Sequence, residues 1–187
     1  MNEDKFLTDY FNECADFISG KDVNQYCIDT KKMLLKTKES GRKVMFAGNG
    51  ASASIANHAS LDFTKQAKIK SVNFNESALI TAYANDFGFE HWIQKAVEFY
   101  GQEGDTLILI SASGKSVNVV NAAKYANNNN INLVTFTGCE PDNPLSALGD
   151  INFWLDSKAY NIIESVHQIW LLSICDLIIG KKEYLVS

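Results

Sequence analysis

Two apolar runs in this chain each end in a cluster of small residues that opens a helical pattern. Lys43–Ala47 (KVMFA) leads straight into Gly48-Asn49-Gly50-Ala51-Ser52. Asp105–Ile110 (DTLILI) leads into Ser111-Ala112-Ser113-Gly114-Lys115-Ser116. A continuous apolar run, without polar alternation, predicts a strand covered on both faces. Such a strand followed at once by a helix predicts a βα unit of a parallel sheet. The rest of the chain fits that frame. Periodicity predicts helices over 3–18, 22–40, 76–84, 88–100, 117–127 and 160–179, and a helix from the first turn to about residue 66. Further strands are expected at 70–74, 132–137 and 151–155. The expected architecture is α/β, with helices on both faces of a parallel sheet.

With 187 residues, the chain is long enough for one domain with a substantial core. The linkers are short, so residues 1–187 are assigned to one domain, with helices 1–40 packed on it. The net charge of −5, without a basic stripe, argues against direct nucleic-acid binding. Four cysteines at 14, 27, 139 and 175 lack metal-ribbon or CxxC spacing, which predicts reduced thiols in a cytoplasmic protein. The N-terminal stretch MNEDKFLTDYFNEC is acidic and polar, unlike a signal peptide. Ser173 and Asp176 interrupt the apolar run near the C-terminus, so no membrane span is expected.

Ligands of open parallel sheets bind beyond the carboxyl ends of the strands, where both small-residue turns stand. Small residues let backbone amides approach an anion, and the helix dipole favours negative charge there. Serine hydroxyls add donors. Neither turn has GxGxxG or GxxxxGK[ST] spacing, so no nucleotide cofactor is expected and a phosphorylated sugar fits better. The alternative is that each turn is only a capped helix start.

The helix after the first turn carries His58 and Asp62 four residues apart, hence on one face. The last helix carries Glu164, His167 and Gln168. These groups suit proton transfer or divalent-metal ligation. They equally suit polar contacts between helices, including helices of two subunits. Asn85-Asp86 before Phe87-Gly88-Phe89 marks a turn or helix boundary. Tyr160, Phe153 and Trp154 are expected in core or interface.

The stretches GNGASASIANHASLDF (48–63), ANDFGFEHW (84–92), GQEGDTLILISASGKSVNVVNAAKYA (101–126), LVTFTG (133–138) and ESVHQIWLLSICDLI (164–178) resemble those of sugar isomerase (SIS) domains. Within that group they resemble the phosphoheptose isomerases. The resemblance spans nearly the whole chain and implies a flavodoxin-like sheet in a homotetramer. It implies aldose–ketose isomerisation of sedoheptulose 7-phosphate through an enediol, feeding heptose synthesis for a surface polysaccharide. Ser111, Ser113 and Ser116 would hold the phosphate, with Gly114 shaping the loop. Asn49, Gly50 and Ser52 would meet the sugar, and Asp86 would approach the substrate. Asp62 would be the base, with Glu164 or His167 assisting. Zinc would sit among His58, Asp62 and Glu164.

The departures from the family pattern fall on the proton-transfer set. Asp62 stands where the family has a glutamate, and Glu164 where it has a glutamine. Leu172 replaces a histidine, Ala112 a threonine and Asn161 an aspartate. A second reading follows from those losses: a non-catalytic SIS protein that binds phosphosugars or serves as an adaptor, as in relatives associated with replication initiators.

Overall fold

In the computed structural model, which describes residues 1–183, five strands form one parallel sheet in the order β2-β1-β3-β4-β5. The strands are β1 (Val44–Gly48), β2 (Ser71–Asn73), β3 (Thr106–Ser111), β4 (Asn132–Thr137) and β5 (Ile151–Trp154). The helices are α1 (Glu3–Ile18), α2 (Val23–Glu39), α3 (Ala51–Lys65), α4 (Ser77–Phe87), α5 (Trp92–Tyr100), α6 (Val117–Asn128) and α7 (Tyr160–Ile179). This is the flavodoxin-like arrangement that the family resemblance implies. The last four residues of the single-domain assignment lie outside the described residues.

The apolar runs are explained by which way successive side chains point. On β1, Val44 and Phe46 enter one core while Met45 and Ala47 enter the other. On β3, Ile108 and Ile110 oppose Leu107 and Leu109 in the same way. The first core is closed by α2, α3 and α7, through residues such as Leu34, Phe63, Val166 and Leu171. The second is closed by α5 and α6, through Trp92, Ile93, Val119 and Ala123. Each such buried Leu, Ile or Phe contributes roughly 1.5–3 kcal/mol. Because both faces are covered, no strand position of β1 or β3 tolerates a polar residue without a partner.

Two boundaries differ from expectation. Asn85 and Asp86 lie inside the last turn of α4, which continues to Phe87 and stops at Gly88. Residues 88–91 then form a turn, and α5 begins only at Trp92. α7 is long and apolar enough to cross a bilayer by composition, with a mean hydropathy of 1.6. Ile162, Ile163, Val166, Trp170, Leu171 and Ile174 of that helix are instead packed into the first core.

Asp105, at the start of β3, ties the lower edge of the sheet together. It is 1% exposed and accepts from the backbone N–H of Lys43 (2.9 Å), the Lys43 Nζ (2.6 Å) and the backbone N–H of Gln102 (2.8 Å). Removing it strands a cation and two donors in a largely buried setting. Asp105→Ala should cost about 3 kcal/mol in a urea unfolding titration, and a loss under about 1 kcal/mol would refute this role.

Candidate functional site

β1 and β3 are adjacent in the sheet, with Gly48 paired to Ile110, so their turns emerge side by side. Gly48 is required for that closeness. A Cβ there would lie 2.8 Å from the Ser52 Cβ and 2.9 Å from the Ile110 carbonyl oxygen. The second turn is shaped by Gly114, at φ 62°, where a side chain would collide with the buried Asn143. Asn143 belongs to the loop after β4, and Leu145 of that loop donates its N–H to the Gly114 carbonyl at 3.1 Å. The Pro-containing segment CEPDNPLS therefore braces the second turn from behind, a role its sequence did not announce.

The helices that follow are not capped by the residue before them, although Asn118 Oδ1 accepts from the third amide of α6. Gly50 precedes α3 and Ser116 precedes α6, and neither makes a side-chain cap hydrogen bond. Asn2 caps α1 and Glu76 caps α4, whereas α2, α5 and α7 also begin without a side-chain cap. Uncapped amides at two neighbouring helix starts favour an anion. What sets these two starts apart from the other uncapped ones is that they emerge side by side from paired strands.

A cleft of about 160 Å³ opens between the turns and α7, lined by Asn49, Ser52, Ile110, Ser111, Ala112, Ser113, Ser116, Tyr160 and Glu164. Gly50 and Gly114 bound the same turns. The Ser111 and Ser116 hydroxyls are 3.4 Å apart, and the Ser113 hydroxyl accepts from the Lys115 N–H at 3.2 Å. Tyr160, expected in core or interface, is 54% exposed at the rim of this cleft. A larger cleft of about 540 Å³ lies by β5, between Tyr26 and Trp154, without either small-residue turn.

Glu164 is the one carboxylate lining the cleft. Partial burial holds its carboxyl above the ordinary glutamate range. Asp62, expected as the base, does not line the cleft. It pairs with His58 at 3.2 Å along α3, and His58 in turn lies 3.2 Å from Gln168 of α7. Asp86 is likewise exposed on α4, bonded to Asn85 rather than facing the serines.

His167 is a clear correction. It was expected to assist catalysis, but it is fully buried between Phe136 and Trp170. Its Nε2 is 3.0 Å from the Thr137 carbonyl, which sets the Nε2–H tautomer, and its Nδ1 has no partner. Burial lowers its pKa to about 4. Although His167 is only three residues from Glu164 on α7, it points into the core while Glu164 lines the cleft.

The zinc set expected from the resemblance does not close. Among the described residues, no three His, Cys, Asp or Glu side chains gather closely enough to hold a metal. His58 and Asp62 are paired with each other, Glu164 faces the serine cleft, and Leu172 offers no donor. Within one copy of the chain, the described side chains of His58, Asp62 and Glu164 do not gather as a zinc-binding set.

Comparison with known proteins agrees with this geometry. The family model described as "SIS domain" matches residues 10–138. The chain belongs to the SIS domain family. It is 32% identical over 164 residues to the phosphoheptose isomerase of Nitratidesulfovibrio vulgaris, covering 84% of this chain and 74% of that protein. It is 34% identical over 160 residues to the Fusobacterium nucleatum phosphoheptose isomerase, covering 83% and 82%. The structure of phosphoheptose isomerase from Francisella tularensis superposes with a TM-score of 0.87 at 25% identity, covering 97% of this SIS chain and all of that one. The Neisseria gonorrhoeae enzyme gives 0.85 at 26%, covering 94% and 98%.

Two outcomes follow. Ser113→Ala with Ser116→Ala should abolish most of the thermal stabilisation by sedoheptulose 7-phosphate, and an undiminished shift would remove the serines from the cradle. For His167, the unfolded state binds the extra proton between its ordinary pKa of 6.5 and the native value of about 4. Stability is therefore full above that window and is lost as pH falls through it. His167→Gln should flatten this dependence in denaturant titrations from pH 7 to 4, and an unchanged slope would contradict it.

Proposed function

We infer that this chain is a phosphosugar aldose–ketose isomerase acting on sedoheptulose 7-phosphate. The observation that carries this is the cleft itself: two adjacent helix starts and four serines beside one carboxylate of raised pKa. Proteins named phosphoheptose isomerase match the chain over most of both lengths, which supports the same substrate.

The phosphate sits among Ser111, Ser113 and Ser116 and the amides of the second turn, where hydroxyl and N–H donors replace water. Asn49 and Ser52 meet the sugar. Glu164 moves the proton between C1 and C2 by way of the enediol. Its raised pKa suits that task, since a base works best when its pKa approaches the working pH. Asp62 and His58, on the neighbouring face of α3, tune or extend the site rather than line it.

The chain acts as a homo-oligomer, expected to be a tetramer, in the cytoplasm, and supplies heptose for surface polysaccharide. Exposed apolar side chains on α3 and α7 support association: Leu61 is 59% exposed, Ile169 43% and Leu177 38%. The absence of an imidazole at Leu172 favours one alternative, a phosphosugar-binding member that does not turn its ligand over.

Kinetics separate these. Glu164→Gln should lower kcat by about 100-fold or more while KM changes little. The acid limb of kcat/KM in the native chain should lie above the ordinary glutamate pKa, with activity rising as Glu164 deprotonates. Full turnover in Glu164→Gln would move the base elsewhere, with Asp62→Asn the next test. Thermal stabilisation by the sugar phosphate without any conversion would establish the binding-protein alternative.

A further inference from the structure

We propose that Asn118 is a positioning residue for the isomerase site, acting through Asn49. The inference rests on the isomerase reading and deepens it. Asn118 is the second residue of α6, and Asn49 stands in the first turn, 69 residues earlier. Their side chains form a closed pair. Asn49 Nδ2 donates to Asn118 Oδ1 at 3.0 Å, and Asn118 Nδ2 donates to Asn49 Oδ1 at 2.9 Å.

The orientation of this pair is fixed by chemistry. The backbone N–H of Val119 also donates to Asn118 Oδ1, at 3.0 Å. An N–H can only meet an oxygen there, so the amide of Asn118 cannot be flipped. Asn49 must then turn its Nδ2 toward Asn118 and its Oδ1 toward the Asn118 amino group. A cyclic amide pair uses the N–H syn to each carbonyl. The anti N–H of Asn49 is the one left for a ligand, and Asn49 lines the cleft.

Asn118 itself is 2% exposed and does not line that cleft. Its contacts with Asn49 and the Val119 N–H account for its carbonyl and one of its two amide hydrogens. It thus links the turn that meets the sugar to the helix whose start meets the phosphate. A buried amide engaged on both its polar atoms is a rigid spacer, because breaking either bond leaves a buried polar group unsatisfied. The two halves of the substrate are held by different turns, so this spacer fixes the distance between phosphate grip and sugar grip. Asn118→Asp would set a carboxylate oxygen against Asn49 Oδ1 and open the clasp, whereas Asn118→Ala simply removes it.

The test is a double-mutant cycle of Asn49→Ala and Asn118→Ala, read as kcat/KM with sedoheptulose 7-phosphate and as inhibition by inorganic phosphate. Asn118→Ala should lower kcat/KM about tenfold or more, the scale expected of a misplaced contact. In the Asn49→Ala background, the same change should cost less than about twofold, because its target is already gone. Inhibition by inorganic phosphate should stay within about threefold of the native protein, since the serines and amides of the second turn are intact. A merely structural role would weaken phosphate inhibition in parallel with kcat/KM, and that result would overturn the assignment. Equal losses in both backgrounds would overturn it too. A native chain with no turnover would instead overturn the isomerase reading, and the assignment with it. Should Asn118→Ala fail to fold, side-chain amide exchange in the native protein decides. The Asn49 and Asn118 Nδ2 protons should exchange far more slowly than those of the exposed Asn127–Asn129 side chains, and equal rates would refute the clasp.

Discussion

β1 and β3 run in parallel register from Val44–Thr106 to Gly48–Ile110 and reach the same edge of the sheet together. Every feature of the site depends on that pairing. The crossover connections send α3 and α6 to opposite faces, yet both helices start from the same edge. Two sets of N-terminal amides therefore open side by side, and α7 closes the cleft over them with Glu164 and Tyr160. Gly48 keeps the first turn against Ile110, and the Asn143 loop keeps the second turn bent at Gly114. The pairing is in turn secured by the two apolar cores and by Asp105 at the other end of the strands.

The carboxylates divide by environment. Glu164 is partly buried beside hydroxyls and carries no cation, so desolvation alone raises its pKa. Asp62 faces His58 across one turn of α3, away from the serines. Asp176 on α7 is raised by burial first and by the nearby Asp62 second. Two half-buried acids thus approach one another between α3 and α7, while one stands alone at the cleft. A lone carboxylate against neutral donors is the better proton carrier, because nothing else competes for its charge.

Much of this was legible in the sequence. The parallel sheet covered on both faces followed from the uninterrupted apolar runs, since only such burial explains LILI and VMFA without alternation, while the flavodoxin-like arrangement came from the family resemblance. The two turns were legible because small residues stood at strand ends. What failed to show were the contacts made at a distance. Nothing local distinguishes Asn118 from the other asparagines of α6, and nothing local marks Asn143, between two prolines, as a brace for the second turn. His167 looked functional because imidazole is rare in an apolar helix, but its ring is buried between Phe136 and Trp170. Asp62 stands where the family has a glutamate, yet it pairs with His58 on α3 and does not line the cleft. The position of Asp86 shifted because α4 runs one turn longer than its pattern suggested, with Gly88 as the true stop.

The central claim is that two turns grip one anionic sugar at its two ends. A crystal structure with sedoheptulose 7-phosphate at saturating concentration tests it most directly. The account predicts phosphate oxygens within hydrogen-bond reach of Ser111, Ser113 and Ser116, with the sugar hydroxyls at Asn49 and Ser52 and C1–C2 beside Glu164. A sugar phosphate bound elsewhere while this cleft holds only solvent would contradict it.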